Sequence, residues 1–141
     1  NKRIETVSEL AKEIGENDFC KRHLGADIAL DSDKMISAGQ SFGGMSAISI
    51  ALGDQPHFKA VVTHDPCFFP CFPMIDNASF DMRHPTFMCM SESFLGSMND
   101  MIFYFPRDLW KDFDSITANF KKTIPEEKLE VIKLMDSNHT D

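Results

Sequence analysis

The sequence predicts an α/β domain with a mostly parallel sheet of about four strands and flanking helices. Three observations carry this. Short apolar runs rich in β-branched residues alternate with segments whose apolar positions recur at helical spacing. Their order (helix, strand, helix, strand, strand, helices, strand) is that of parallel strands joined by helical crossovers, with helices expected on both faces. No internal repeat, low-complexity tract or Gly/Ser-rich linker breaks the pattern, and 141 residues amount to about one domain.

Each element has its own signal. Ile4, Val7, Leu10, Ala11 and Ile14 share one helical face, Glu5, Glu9, Lys12 and Glu13 the other, and Gly15 follows. Residues 3–14 are therefore expected to form an amphipathic helix. A polar stretch leads through Asp31-Ser32-Asp33 to a short strand at Met35 to Ala38, then a tight turn from Gly39 to Gly44. Met45, Ile48, Ala51 and Leu52 predict a second helix, stopped by Gly53. The run from Phe58 to His64 suits a buried strand, and Pro85 introduces another over Thr86 to Met90. Helices are expected at about Asn99 to Tyr104 and Arg107 to Phe120, and Leu129 to Met135 predicts the last strand. Four strands are few for such a sheet. Together with an N-terminus that is not Met, this predicts that residues 1–141 are the C-terminal portion of a single domain whose earlier strands are absent.

Composition excludes several classes of function. Fourteen Lys and Arg against 22 Asp and Glu give a formal charge of −8, a surface that repels nucleic-acid phosphates. No run reaches the roughly 18 apolar residues of a membrane span, and no apolar signal segment opens the chain. Thirteen Phe and nine Met nevertheless supply much apolar surface to bury or to present to something greasy. Cys20, Cys67, Cys71 and Cys89 are too sparse for a disulfide framework and are expected to be free, buried thiols.

Gly39-Gln40-Ser41-Phe42-Gly43 carries the chemistry. It is a G-x-S-x-G pattern between a predicted strand and a predicted helix, the signature of a nucleophile elbow. Side chains two residues either side of the serine are expected to collide in so sharp a bend, hence Gly39 and Gly43. Ser41 is lifted clear of the sheet at the positive end of the following helix, and the backbone N–H of Phe42 is placed to donate to an oxyanion.

A serine nucleophile needs an imidazole base, and the base needs a carboxylate to fix its tautomer. In α/β-hydrolases the chain order is serine, acid, histidine. His23 precedes the elbow, His57 and His84 fall at the wrong ends of strands, and His64 directly abuts Asp65. His139, in a polar loop after the last strand, is where the base belongs. Two acids stand at the ends of predicted strands, Asp65 and Glu92, and spacing does not choose between them.

With these residues in view, Ile36 to Gly44, Asp65 followed closely by Phe69-Pro70, then Ser91-Glu92 and His139 resemble the platelet-activating-factor acetylhydrolase family. These are plasma and type II phospholipases A2 of the α/β-hydrolase superfamily. The resemblance covers roughly residues 31–95 and the terminal histidine. It implies a partial α/β-hydrolase fold and a calcium-independent serine esterase that removes the short sn-2 acyl group of a phospholipid, as a 1-alkyl-2-acetylglycerophosphocholine esterase does. It also implies Ser41 as nucleophile, Asp65 as acid and His139 as base, with Glu92 a family feature outside the triad. The substrate would be a phospholipid or lipid ester, with peripheral contact to a lipid interface and no metal or organic cofactor. Family members usually carry His where this chain has Gln40, and the second oxyanion donor would come from an earlier loop, outside this sequence. A general carboxylesterase of dienelactone-hydrolase type, or a non-catalytic fragment that binds lipid or a partner, stays open beside this reading.

Two apolar segments admit two uses each. Phe68 to Met74 would line an acyl pocket or pack beneath absent parts of the domain. Met98, Met101, Ile102, Phe103 and Phe105 would form a lid helix or core. His64, Cys67, Cys71 and His84 form one loose cluster, whereas a structural zinc site shows two paired motifs.

Overall fold

The computed structural model describes residues 2–16, 18–28, 30–53, 57–101 and 108–140. Helix α1 spans Lys2–Ile14 and α2 Phe19–Leu24, followed by strand β1 at Ile36–Gln40 and helix α3 at Phe42–Ile50. Strand β2 (Ala60–His64) leads through a 3₁₀ turn, Phe69–Cys71, into the short helix α4, Phe72–Asp76. Strand β3 (Thr86–Ser91) runs straight into α5 (Glu92–Met101), and α6 (Leu109–Thr123) precedes β4 (Leu129–Leu134).

All four strands are parallel and lie in the order β1-β2-β3-β4. Parallel crossovers are almost always right-handed, so strands added steadily in one direction send their connecting helices to the same side. The molecule follows that rule. Ser37, on β1, donates its hydroxyl to Ala47 O of α3 at 3.1 Å. On β4, Lys133 pairs with Asp114 of α6 at 2.9 Å and sits over the rings of Trp110 and Phe113. Ser37, Val61 and Thr63 share this face with Met88 and Met90, and all five are buried. The alternate positions Ile36, Val62, Phe87 and Leu134 are exposed. Flanking helices are therefore present as expected, but among the described residues α3 and α6 cover one face and not both.

The covered face holds the core. Ile48 and Ala51 from α3 and its end, Val61 and Met88 from the strands, and Phe113, Ile116 and Phe120 from α6 are buried in one cluster. Phe80 meets Phe120 edge-on at 6.0 Å between centroids. Asn119 spends its side-chain amide on Phe80 O at 2.7 Å, which anchors α6 to the chain before β3.

Several boundaries differ from the sequence reading. The turn expected over Gly39 to Gly44 shrinks to Ser41 alone, since β1 runs to Gln40 and α3 begins at Phe42. The polar stretch after α1 hides α2, whose signal is weak because it is only six residues long. The helix expected from Asn99 starts seven residues earlier at Glu92, directly off β3, and residues 102–107 lie outside the described residues. With them goes the choice between lid helix and core for Met98, Met101, Ile102, Phe103 and Phe105, whose side chains are not among those described. The Phe68 to Met74 segment is not an open loop. Phe68, Cys71 and Ile75 are buried, and Phe68 stacks with Phe113 of α6 at 6.5 Å, while Phe69 and Phe72 stay half-buried.

Candidate active site

Three of the four non-glycine residues with positive φ among the described residues stand where a strand gives way to a loop or helix: Ser41 (φ 55°), Asp65 (φ 46°) and Asp136 (φ 53°). Backbone of this kind costs on the order of 1–3 kcal/mol per residue and persists only when its surroundings hold it. At Ser41 the hold is visible. Its N–H donates to His64 O at 3.0 Å, and its carbonyl accepts from Met45 N at 3.1 Å and Cys67 N at 2.9 Å. With φ 55° and ψ −124°, the chain passes from strand to helix across this one residue.

The glycines divide the steric work differently from the expectation. A Cβ on Gly39 would lie 2.2 Å from Gly43 O, and one on Gly44 would lie 3.0 Å from Pro66 Cα. A Cβ on Gly43 would meet nothing within 4 Å among the described residues. Gly43 contributes to the bend through its carbonyl, which presses on Gly39. The side-chain collision expected at Gly43 is absent, and Gly44 is the second position with no room.

Gln40 and His64 are register partners on β1 and β2, so Ser41 and Asp65 each stand one residue beyond a paired rung. Phe42 opens α3, and an N–H at that position has no acceptor within the helix. The Asp65 side chain is fully buried. Its Oδ1 accepts from Ser91 N at 2.6 Å, and its Oδ2 accepts from Ser91 Oγ at 2.6 Å. His139 Nδ1 lies 2.9 Å from the same Oδ2. A carboxylate only accepts, so the proton of this bond sits on Nδ1 and the Nε2 lone pair is left for chemistry. His64 Nε2 lies 3.4 Å from Oδ2 as well, so the histidine set aside for abutting Asp65 reaches the same carboxylate oxygen.

The structure thus brings Asp65 and His139 together across 74 positions of sequence. Gln40 donates its side-chain amide to His139 O at 2.6 Å, tying the histidine loop to the residue before Ser41. Among the described residues the Ser41 hydroxyl makes no hydrogen bond to the imidazole, a contact that often tightens only when substrate binds.

Glu92, the other candidate acid, takes a different part. Its carboxylate accepts from Asp136 N at 3.0 Å, holding the positive-φ residue that turns the chain out of β4. Ser93 N donates to Ser137 O at 3.2 Å, and the Phe94 ring stacks on His139 at 4.3 Å between centroids with planes 18° apart. Four consecutive residues, Ser91 to Phe94, therefore touch Asp65, Asp136, Ser137 and His139 in turn. Only the Ser91-Glu92 pair drew notice in the sequence. Nothing in the local pattern says what Ser91, Phe94 or Gln40 touches, since each partner lies far along the chain.

The remaining histidines stay away from the site. His23 pairs with Glu13 at 2.8 Å on the exposed α1–α2 corner, and the His84 carbonyl accepts from Thr86 just before β3 begins. All four cysteines are free, and Cys20, Cys67 and Cys71 are buried as expected, but Cys89 is only half-buried. Burial pushes the thiols of Cys67 and Cys71 above their ordinary range, and Cys89 is raised by burial with the Asp65 charge adding to it. Raised thiols are poor nucleophiles at neutral pH.

Among known proteins, the model of the prolyl oligopeptidase family matches residues 8–91, a span running from α1 through the last residue of β3. No curated protein and no solved structure gives a significant match.

Proposed function

The chain belongs to the prolyl oligopeptidase family, and from that premise, as a serine hydrolase of the α/β-hydrolase type, we propose that it cleaves the short sn-2 acyl ester of a phospholipid. Ser41 is the nucleophile, His139 the base and Asp65 the acid. The observation that carries the reaction is a strained serine, alone between strand and helix, on the same rim as an imidazole bonded to a buried carboxylate.

Ser41 Oγ attacks the ester carbonyl carbon while His139 Nε2 accepts its proton. The carbonyl oxygen becomes an oxyanion facing the Phe42 N–H. Collapse breaks the bond to the glycerol oxygen, which takes the proton from Nε2 and leaves as the lysophospholipid. Water repeats the sequence on the acyl-enzyme and frees the acid. Asp65 keeps the Nδ1 proton in place and offsets the positive charge of the imidazolium at each turn.

Three features favour a lipid ester. The order Asp65, Phe69-Pro70, Ser91-Glu92, His139 resembles the acetylhydrolase pattern. Phe42, next to the nucleophile, leaves about half its surface exposed. Beside it, Ile4, Met45, Leu52 and Met74, with Arg3, Ser46 and Ser49 among the polar lining, form an open groove of about 470 Å³ whose apolar part would take an alkyl chain. No helix among the described residues is long and apolar enough to cross a membrane.

A fluorophosphonate probe and three substrates test this. Labelling should fall on Ser41 and vanish in Ser41→Ala. A 2-acetyl phosphatidylcholine should be turned over with a kcat/KM at least about tenfold above p-nitrophenyl acetate, a difference of about 1.4 kcal/mol in transition-state binding. Preference for the small ester would leave a general carboxylesterase. The family match itself favours a second reading, peptide-bond cleavage, and preference for a prolyl peptide anilide would establish it. Folded protein that takes no label would leave only a binding role.

A further inference from the structure

We propose that Phe94 is a positioning residue for His139 that favours its protonated form, an inference that rests on the roles proposed for Ser41, His139 and Asp65. The imidazole is held in two perpendicular directions. In its plane, Nδ1 meets Asp65 Oδ2 at 2.9 Å. Against its face lies the Phe94 ring, at 4.3 Å and 18° from parallel. Phe94 is itself buried on the first turn of α5, where Glu92 and Ser93 fasten the same loop at Asp136 and Ser137. The ring therefore has a fixed address relative to the base.

The face of a phenyl ring carries negative potential and attracts a cation lying over it within about 6 Å. Neutral imidazole gains little from this, whereas imidazolium gains directly. Imidazolium is the form made when Ser41 surrenders its proton, so the contact is stronger in the transition state than in the resting site. The other titratable groups near the imidazole are Asp65 and His64 at the end of β2, Cys89 on β3, Glu92 on α5 and Asp136 on its own loop. Phe94 acts beside these charges without changing any of them.

The test compares wild type with Phe94→Leu and Phe94→Tyr, reading the rate of fluorophosphonate labelling at Ser41 across pH. Labelling depends on Ser41 and His139 but not on which ester is the natural substrate. Leucine keeps apolar bulk and loses the ring face. Labelling at neutral pH should slow by about 3- to 30-fold, the range expected of a partly desolvated cation–ring contact. The acid limb of the profile should move to lower pH by about 0.5 to 1.5 units, the same loss read on the pH scale, since imidazolium has lost a stabilising contact. Tyrosine should keep both the rate and the limb. A slower leucine variant with an unmoved limb would reduce Phe94 to packing and overturn the proposal, as would unchanged labelling. Should Phe94→Leu fail to fold by circular dichroism, Phe94→Met fills the space and is read the same way. Wild type that labels nowhere removes the proposed function and this inference together. Wild type that labels but prefers a different substrate removes only the substrate assignment.

Discussion

The carboxyl rim of the sheet and the face covered by α3 and α6 are made by the same strands under opposite rules. On the covered face, Ile48, Val61, Met88 and Phe120 are apolar and fully buried, and none has a positive φ. On the rim, Ser41, Asp65 and Asp136 all do, and Asp65 is a buried carboxylate. Burying such a charge is costly without partners, and here three donor atoms surround it, Ser91 N, Ser91 Oγ and His139 Nδ1, with His64 Nε2 3.4 Å away. The difference teaches where stability is made and where it is given up. The covered face supplies it through burial, and the rim yields some of it in strain and desolvation to hold a reactive arrangement.

The largest effect that would break this contrast lies at Ser41. Ser41→Ala should lower ester turnover by about 10⁴-fold or more while leaving stability almost unchanged, because alanine bears the same backbone strain. Ser41→Gly should be equally inactive yet more stable, by on the order of 1 kcal/mol, since glycine accepts φ 55° and ψ −124° without a Cβ. Thermal unfolding of the two variants reads the strain directly. Equal stabilities would mean that the bend stores none.

The covered face should behave in the reverse manner. Phe120 is fully buried and meets Phe80 edge-on, so Phe120→Ala should cost about 3–5 kcal/mol of folding stability. Denaturant unfolding measures that loss. The kcat of the folded fraction should stay within a few-fold of wild type. A proportionate fall in kcat per folded molecule would show that the rim depends on core packing more closely than the two-region picture allows.

Much of this was legible before any coordinates. The order of elements, the elbow around Ser41 and the place of His139 after the last strand follow from periodicity and from glycine spacing. These are local signals, and they survive in a single sequence. The choice between Asp65 and Glu92 was not legible from spacing, because both stand at the ends of parallel strands; the family resemblance favoured Asp65, and it is Asp65 that His139 approaches. The role of Gln40 was equally hidden. An amide bonded to a carbonyl 99 positions away leaves no trace in either neighbourhood. The one-sidedness of the helices could have been reasoned from strand order, but strand order itself is a tertiary fact. Helix α2 and the helical part of the Phe68 to Met74 segment escaped notice because short helices owe their existence to packing and carry little periodic signal.

The smallest predicted effects separate two neighbours at the end of β3. Ser91→Ala removes the hydroxyl that donates to Asp65 Oδ2 and keeps the backbone N–H on Oδ1. A hydrogen bond to a buried charge is worth about 1.5–3 kcal/mol, so kcat/KM should fall by roughly 10- to 100-fold as the carboxylate loosens its hold on His139. Glu92→Gln keeps an oxygen able to accept from Asp136 N and leaves Asp65 untouched, and it should cost less than about tenfold. Were Glu92 the acid, the order would invert: Glu92→Gln would be the crippling change, and Asp65→Asn would be mild. Kinetics on these three variants with a single ester therefore decide which carboxylate serves His139. They also decide whether the run from Ser91 to Phe94 is a support for the base or only the place where a strand becomes a helix.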